Sequence, residues 1–122
     1  MTAFNSGGTN TGILALPIAF TPGKNLTFKT KDGFYNGDVL KVYYSKDYVP
    51  GGDFSKATLV DITSSFTIAK GTETGYATNF TNSGNYIIPA TLTGNGFFIF
   101  EYSNAGAAQI TTTMQIDDIV VN

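Results

Sequence analysis

Apolar and polar residues alternate with a period of two along several short stretches of the chain, and nowhere with the period of a helix. The clearest run is residues 25–31, where Leu26, Phe28 and Thr30 interleave with Thr27, Lys29 and Lys31. Successive side chains of a strand point to opposite faces, so this run predicts one buried face and one wet face. Residues 39–45 predict a second strand, with Leu40, Val42 and Tyr44 facing in and Lys41 and Tyr43 facing out. Residues 59–63 and 66–68 read as two short strands or one bent strand. Residues 86–88 read as a brief strand stopped by Pro89, which cannot donate to a ladder. Residues 97–102 (FFIFEY) are apolar on both faces, the mark of a central strand covered on both sides. The last strand is expected over residues 111–121, and residues 55–58 make one helical turn at most.

Between these runs lie turn signals: residues 32–38 with Gly33 and Gly37, residues 50–53 (PGGD), residues 71–75 and residues 104–108. In the 32–38 turn the two glycines are expected to supply positive φ. Short strands separated by such signals at roughly 8–12 residue intervals predict an all-β, two-sheet antiparallel sandwich. The closing strand carries one irregularity. If Ile116 points inward, strict alternation also buries Asp118 and Val120, whereas Ile119 and Val121 are the better core residues. A β-bulge at Asp117 and Asp118 resolves this, because two residues then oppose one on the partner strand. It would leave at least one of the two carboxylates directed at a turn or a cation.

Composition narrows the function. The 122 residues suit one domain, 1–122, since halves would bury too little core. Ten Phe and seven Tyr against two Met and no Trp point to a sheet core of aromatic and β-branched side chains. Seven Lys, no Arg and nine acidic residues give a net charge of −2, without the basic cluster that grips phosphates, so nucleic acid is not an expected partner. Without His or Cys, the commonest general base, the thiolate nucleophile and the zinc cluster are all missing. No stretch approaches the ~20 apolar residues of a membrane-spanning helix. No signal peptide is visible, and Met1 followed by a polar stretch reads as a boundary inside a longer exported protein.

A carboxylate pair could hydrolyse a glycoside. The inventory for it is Glu73, Glu101 and seven Asp, mostly in turns. Glu101 has no obvious second carboxylate, so the expectation is a protein that is not an enzyme. Three sets of residues are candidates for binding. Asp117 and Asp118 could ligate a structural Ca²⁺, or could cap the bulge through backbone N–H groups. Residues 32–38, with Asp32, Asn36 and Asp38, superficially suit calcium but lack the helix-loop-helix spacing and read better as a turn. Tyr35, Tyr43, Tyr48 and Tyr76 are expected to be exposed, where they could stack on sugar rings, contact a protein or merely cover the sheet. Tyr43 is expected beside Lys41 and Glu101. Asn25 and Asn79 open glycosylation patterns of a kind that arises often by chance.

Four segments in order, residues 12–17 (GILALP), 25–48, 97–102 (FFIFEY) and 115–121 (QIDDIVV), resemble the choice-of-anchor J and cleaved-adhesin modules. These modules belong to secreted and surface lipoproteins of Bacteroides-like bacteria. The resemblance implies a jelly roll related to galactose-binding-like carbohydrate modules, at the cell surface or outside the cell. It also implies Ca²⁺ near Asp117 and Asp118 and a glycan or protein as partner, with other domains in the same parent protein. The resulting expectation is a non-catalytic accessory module for adhesion, protein interaction or spacing. The alternative is a carbohydrate-binding module that recognises a glycan on its concave face or loop tips.

Overall fold

The computed structural model describes residues 11–71, 74–103, 110 and 112–122. Eight antiparallel strands run in the order β1 (Thr11–Phe20), β2 (Asn25–Gly33), β3 (Leu40–Ser45), β4 (Val60–Asp61), β5 (Thr81–Asn82), β6 (Tyr86–Ile87), β7 (Gly94–Ser103) and β8 (Thr113–Val121). Two 3-10 turns, Phe54–Lys56 and Thr63–Ser65, are the only helical pieces among the described residues. One sheet has the order β1-β7-β3-β4. In the other, β2 is central, with β8 on one edge and β5 and β6 end to end on the other. The fold is a two-sheet antiparallel β-sandwich.

The alternation read in the sequence is what buries the core. Leu26, Phe28 and Thr30 of β2 face Val42 of β3 and Phe98 and Phe100 of β7, all almost fully buried. Phe28 of β2 meets Phe100 of β7 edge to face at 5.1 Å and so joins the two sheets, while Phe20 meets Phe98 at 5.3 Å within one sheet, across β1 and β7. Fully burying one such ring contributes about 1.5–3 kcal/mol before conformational entropy is charged against it. β7 is covered on both faces as expected, with Ile99 of its other face 0% exposed. Gly96 lets β1 and β3 close on β7: a Cβ there would lie 2.5 Å from the Ser45 carbonyl oxygen and 2.4 Å from Phe20.

Two expectations about elements need correction. Residues 59–63 and 66–68 yield only the two-residue β4. Asp61 accepts the Thr63 N–H at 2.9 Å, and the Thr63 hydroxyl takes the Val42 N–H at 2.9 Å, so the chain curls into a 3-10 turn instead of pairing further. Asp32 and Gly33 belong to β2, and the positive φ of the following turn falls on Phe34 (48°) as well as on Gly37, not on Gly33.

The bulge is present. Thr27 pairs with Val120 and Lys29 with Asp117, so two residues of β8 face the single Phe28. Asp118 takes φ 52°, and the shift carries Ile119 and Val121 onto the core alongside Ile116. Residues 104–108, Glu73 and the start of the expected last strand at position 111 lie outside the described residues.

Candidate functional site

The end of β2 carries an aromatic cluster that is exposed to solvent. Along the outer face of β2 stand Lys29, Lys31 and then Gly33, where the absence of a side chain admits the ring of Tyr76. A Cβ on Gly33 would lie 2.3 Å from that ring. Residues 75–77 run beside the strand end: Phe34 donates its N–H to the Gly75 carbonyl at 2.9 Å, and Ala77 donates to the Asp32 carbonyl at 2.9 Å. This clamp fixes Tyr76, which is 64% exposed. Phe34, 61% exposed, meets it edge to face at 4.9 Å, with the ring planes 78° apart. Phe80, also exposed, lies under the Lys31 ammonium at 5.0 Å. The cluster offers apolar rings, one phenol and one cation. It offers no nucleophile and no acid–base pair.

The four tyrosines read from the sequence separate here. Only Tyr76 is exposed, and three corrections follow. Tyr35 is half-buried because its hydroxyl donates to Asp38 at 2.5 Å while its ring packs on Gly71. That hydrogen bond, then burial and the nearby Asp38 and Asp32 charges, push its pKa up to about 12. Asp38, held by Tyr35 and then by Lys70 at 3.4 Å, is pulled below the usual carboxylate value. Tyr43 is half-buried beside Lys41 and Glu101 as expected, and its hydroxyl donates to Glu101 at 3.3 Å. Its pKa also rises to about 12, first through burial and then through the Glu101 charge. Tyr48 is half-buried between Phe54 and Phe97, at 5.9 and 5.2 Å. Phe34 and Phe80 escaped the sequence reading because both sit in turn-like stretches, where no alternation marks a face.

Of the two acidic candidates, one serves the backbone and the other a lysine. Asp117 accepts the N–H of Asp118 at 2.8 Å, and Asp118 pairs with the Lys29 ammonium at 3.3 Å. Among the described residues no group of three His, Cys, Asp or Glu side chains gathers to hold a metal. Ca²⁺ requires ~6–8 oxygen ligands. In residues 32–38 the acidic groups diverge: Asp38 turns to Tyr35 and Lys70, while Asp32 faces the core at 2% exposure. Its Oδ2 has no hydrogen-bond partner among the described residues.

A cleft of about 590 Å³ opens where residues 63–70 cross from one sheet to the other. Asp38, Lys41, Ser64, Lys70 and Glu101 ring it, and Phe66 lies among them. No family model, curated protein or solved structure matches the chain.

Proposed function

We propose that this chain is a non-catalytic interaction module of an exported protein and that it docks on a protein partner through Phe34, Tyr76 and Phe80. One observation carries the reading: Phe34 holds an exposed ring from a backbone at φ 48°. A non-glycine residue in that region costs on the order of 1–3 kcal/mol. Glycine or asparagine would serve the turn without that cost. The strain is tolerated where it presents a ring, and strained residues cluster at contact sites. Aromatic anchors of this kind dominate the energetics of protein interfaces. The rings stand nearly perpendicular, which suits an uneven protein surface better than the flat face of a sugar.

The test is a panel of purified extracellular proteins run beside a glycan array, with wild type, Phe34→Gly and Tyr76→Ser. The reading expects a protein ligand whose affinity falls at least about 30-fold in both variants while each still melts cooperatively well above the assay temperature. A ligand indifferent to both substitutions overturns it.

A second reading rests on the cleft. Polar side chains of both signs around an aromatic ring suit the hydroxyls and apolar face of a sugar. On this reading the glycan array gives the hit, and Ser64→Trp, which fills the cleft, abolishes it while Phe34→Gly does not.

A further inference from the structure

Among the described residues the core is closed on one side and open on the other. On the β4 and β5 side, residues 62–70 cross between the sheets, with Ile62 donating to Val42 and Thr67 to Ser83. On the opposite side β8 is the outermost strand, and along its second edge it meets no strand among the described residues. The parity of the ladder tells which backbone groups face that edge. Phe28 bonds Ser83 through both its N–H and its carbonyl, so Thr27, Lys29 and Lys31 are the residues that bond β8, opposite Val120, Asp117 and Gln115. The N–H and C=O groups of Ile116 and Val121 therefore point away from β2.

The side chains show the same opening. Leu14 pairs with core-facing Phe100 and so points into the sandwich, yet it is 43% exposed. It lines a cleft of about 390 Å³ with Phe80 and with Met114, Gln115, Ile116 and Asp117 of β8. Leu16, Ile18, Ile116 and Ile119 pack on the core but are only partly covered. An edge whose Ile116 and Val121 backbone groups meet no strand among the described residues, beside incompletely covered apolar side chains, is a template for a further strand.

We infer that the β8 edge accepts an extended strand of a partner polypeptide, antiparallel to β8. Its apolar side chains alternate over Leu14 and Ile116, and a basic side chain lies on its other face beside Asp117. The inward positions must be apolar because they complete the core. The outward cation answers Asp117, whose neighbour Asp118 is already paired with Lys29. A second copy fits worse, since antiparallel pairing of two β8 edges would bring acidic pairs together. Residues 1–10 hold only Met1 and Phe4 as large apolar side chains, too few for such a face. This site touches the aromatic end only at Phe80, which lines the cleft, while Phe34 and Tyr76 do not.

The probe is a synthetic nonapeptide, Lys-Val-Thr-Ile-Lys-Leu-Thr-Val-Lys, added to the full chain and followed by amide hydrogen exchange. In the free chain the Ile116 and Val121 amides should exchange much faster than that of Asp117, which bonds β2. With the peptide they should slow by about tenfold or more, while the amides at Phe34 and Tyr76 stay unchanged. Leu14→Lys should weaken binding about tenfold without lowering the melting temperature, since the side chain is already half exposed. Slow exchange at Ile116 and Val121 in the free chain would mean the edge is already covered and would overturn the inference. So would a dimer in sedimentation that hides these amides, or a peptide that leaves them unchanged.

Discussion

Replacing Phe34 by glycine and, separately, by alanine isolates the backbone argument on which the aromatic end rests. Both substitutions remove the ring and its edge-to-face contact with Tyr76, so that loss cancels in the comparison. It amounts to about 0.5–1.5 kcal/mol for the aromatic pair. The partly covered ring adds about 1 kcal/mol, scaled from the burial of a whole Phe. What differs between the variants is the fit to φ 48°. Alanine keeps the clash of Cβ with the carbonyl oxygen, worth roughly 1–2 kcal/mol, and glycine is relieved of it. Glycine's extra freedom in the unfolded chain gives back roughly 0.5–1 kcal/mol. Phe34→Gly should therefore be more stable than Phe34→Ala by about 0.5–1 kcal/mol, the reverse of the order usual in a strand or helix. Urea melts of the three proteins measure this, provided the slopes agree so that midpoints compare directly. If the alanine variant equals or exceeds the glycine variant, Phe34 is not strained and the proposed docking end loses its main support.

Two glycines with equally close neighbours should respond differently. Gly96→Ala should cost about 3 kcal/mol or more, because the Ser45 carbonyl is backbone and cannot yield, whereas Gly33→Ala should cost less, because the exposed Tyr76 ring can swing away. In spectrophotometric titration Tyr35 and Tyr43 should ionise near pH 12. Because the unfolded tyrosine ionises near ~10, their contribution to stability is intact below that pH and lost as pH rises from ~10 to ~12, which melts across that window will show. Millimolar Ca²⁺ against EDTA should leave the melting temperature unchanged, since the Asp117 and Asp118 carboxylates already serve the bulge and Lys29; an upward shift reversed by EDTA would restore the acidic pair as metal ligands.

How much of this was legible in the chain depended on whether a residue's neighbours are local. The alternation of β2, β3 and β7 states which face is buried, because side-chain direction in a strand follows sequence parity alone. The bulge was legible for the same reason: Ile119 and Val121 cannot share a face with Ile116 unless one residue is inserted. Exposure of the tyrosines was not legible. Tyr48 is covered by Phe97 as well as by nearby Phe54, and Tyr35 by Gly71; Phe97 and Gly71 are distant in sequence. The aromatic end is built the same way, since Tyr76 reaches Phe34 only because residues 75–77 run along the end of β2. β4 failed for another reason: hydroxyl and carboxylate side chains at Asp61 and Thr63 took over the hydrogen bonds a longer strand would have made.

The bulge makes one last consequence computable from parity. Asp118 is the inserted residue, so removing it altogether leaves Ile116 inward, Asp117 outward, Ile119 inward, Val120 outward and Val121 inward. The core face of β8 survives the deletion. What is lost is the exposed pair with Lys29, worth about 0–1 kcal/mol, and what is relieved is a non-glycine residue at φ 52°, worth on the order of 1–3 kcal/mol. A deletion inside a strand ordinarily turns the rest of it over. This one should be neutral or stabilising in a thermal melt. Deleting Gln115 instead reverses Ile116 against Met114 and should unfold the chain. The cost of losing the bulge appears elsewhere. Bulges bend and twist an edge away from foreign strands. The straightened β8 should bind the nonapeptide more tightly and associate with itself at lower concentration in sedimentation. If deletion of Asp118 destabilises as much as deletion of Gln115, then Asp118 is not an inserted residue and the register of β8 must be redrawn.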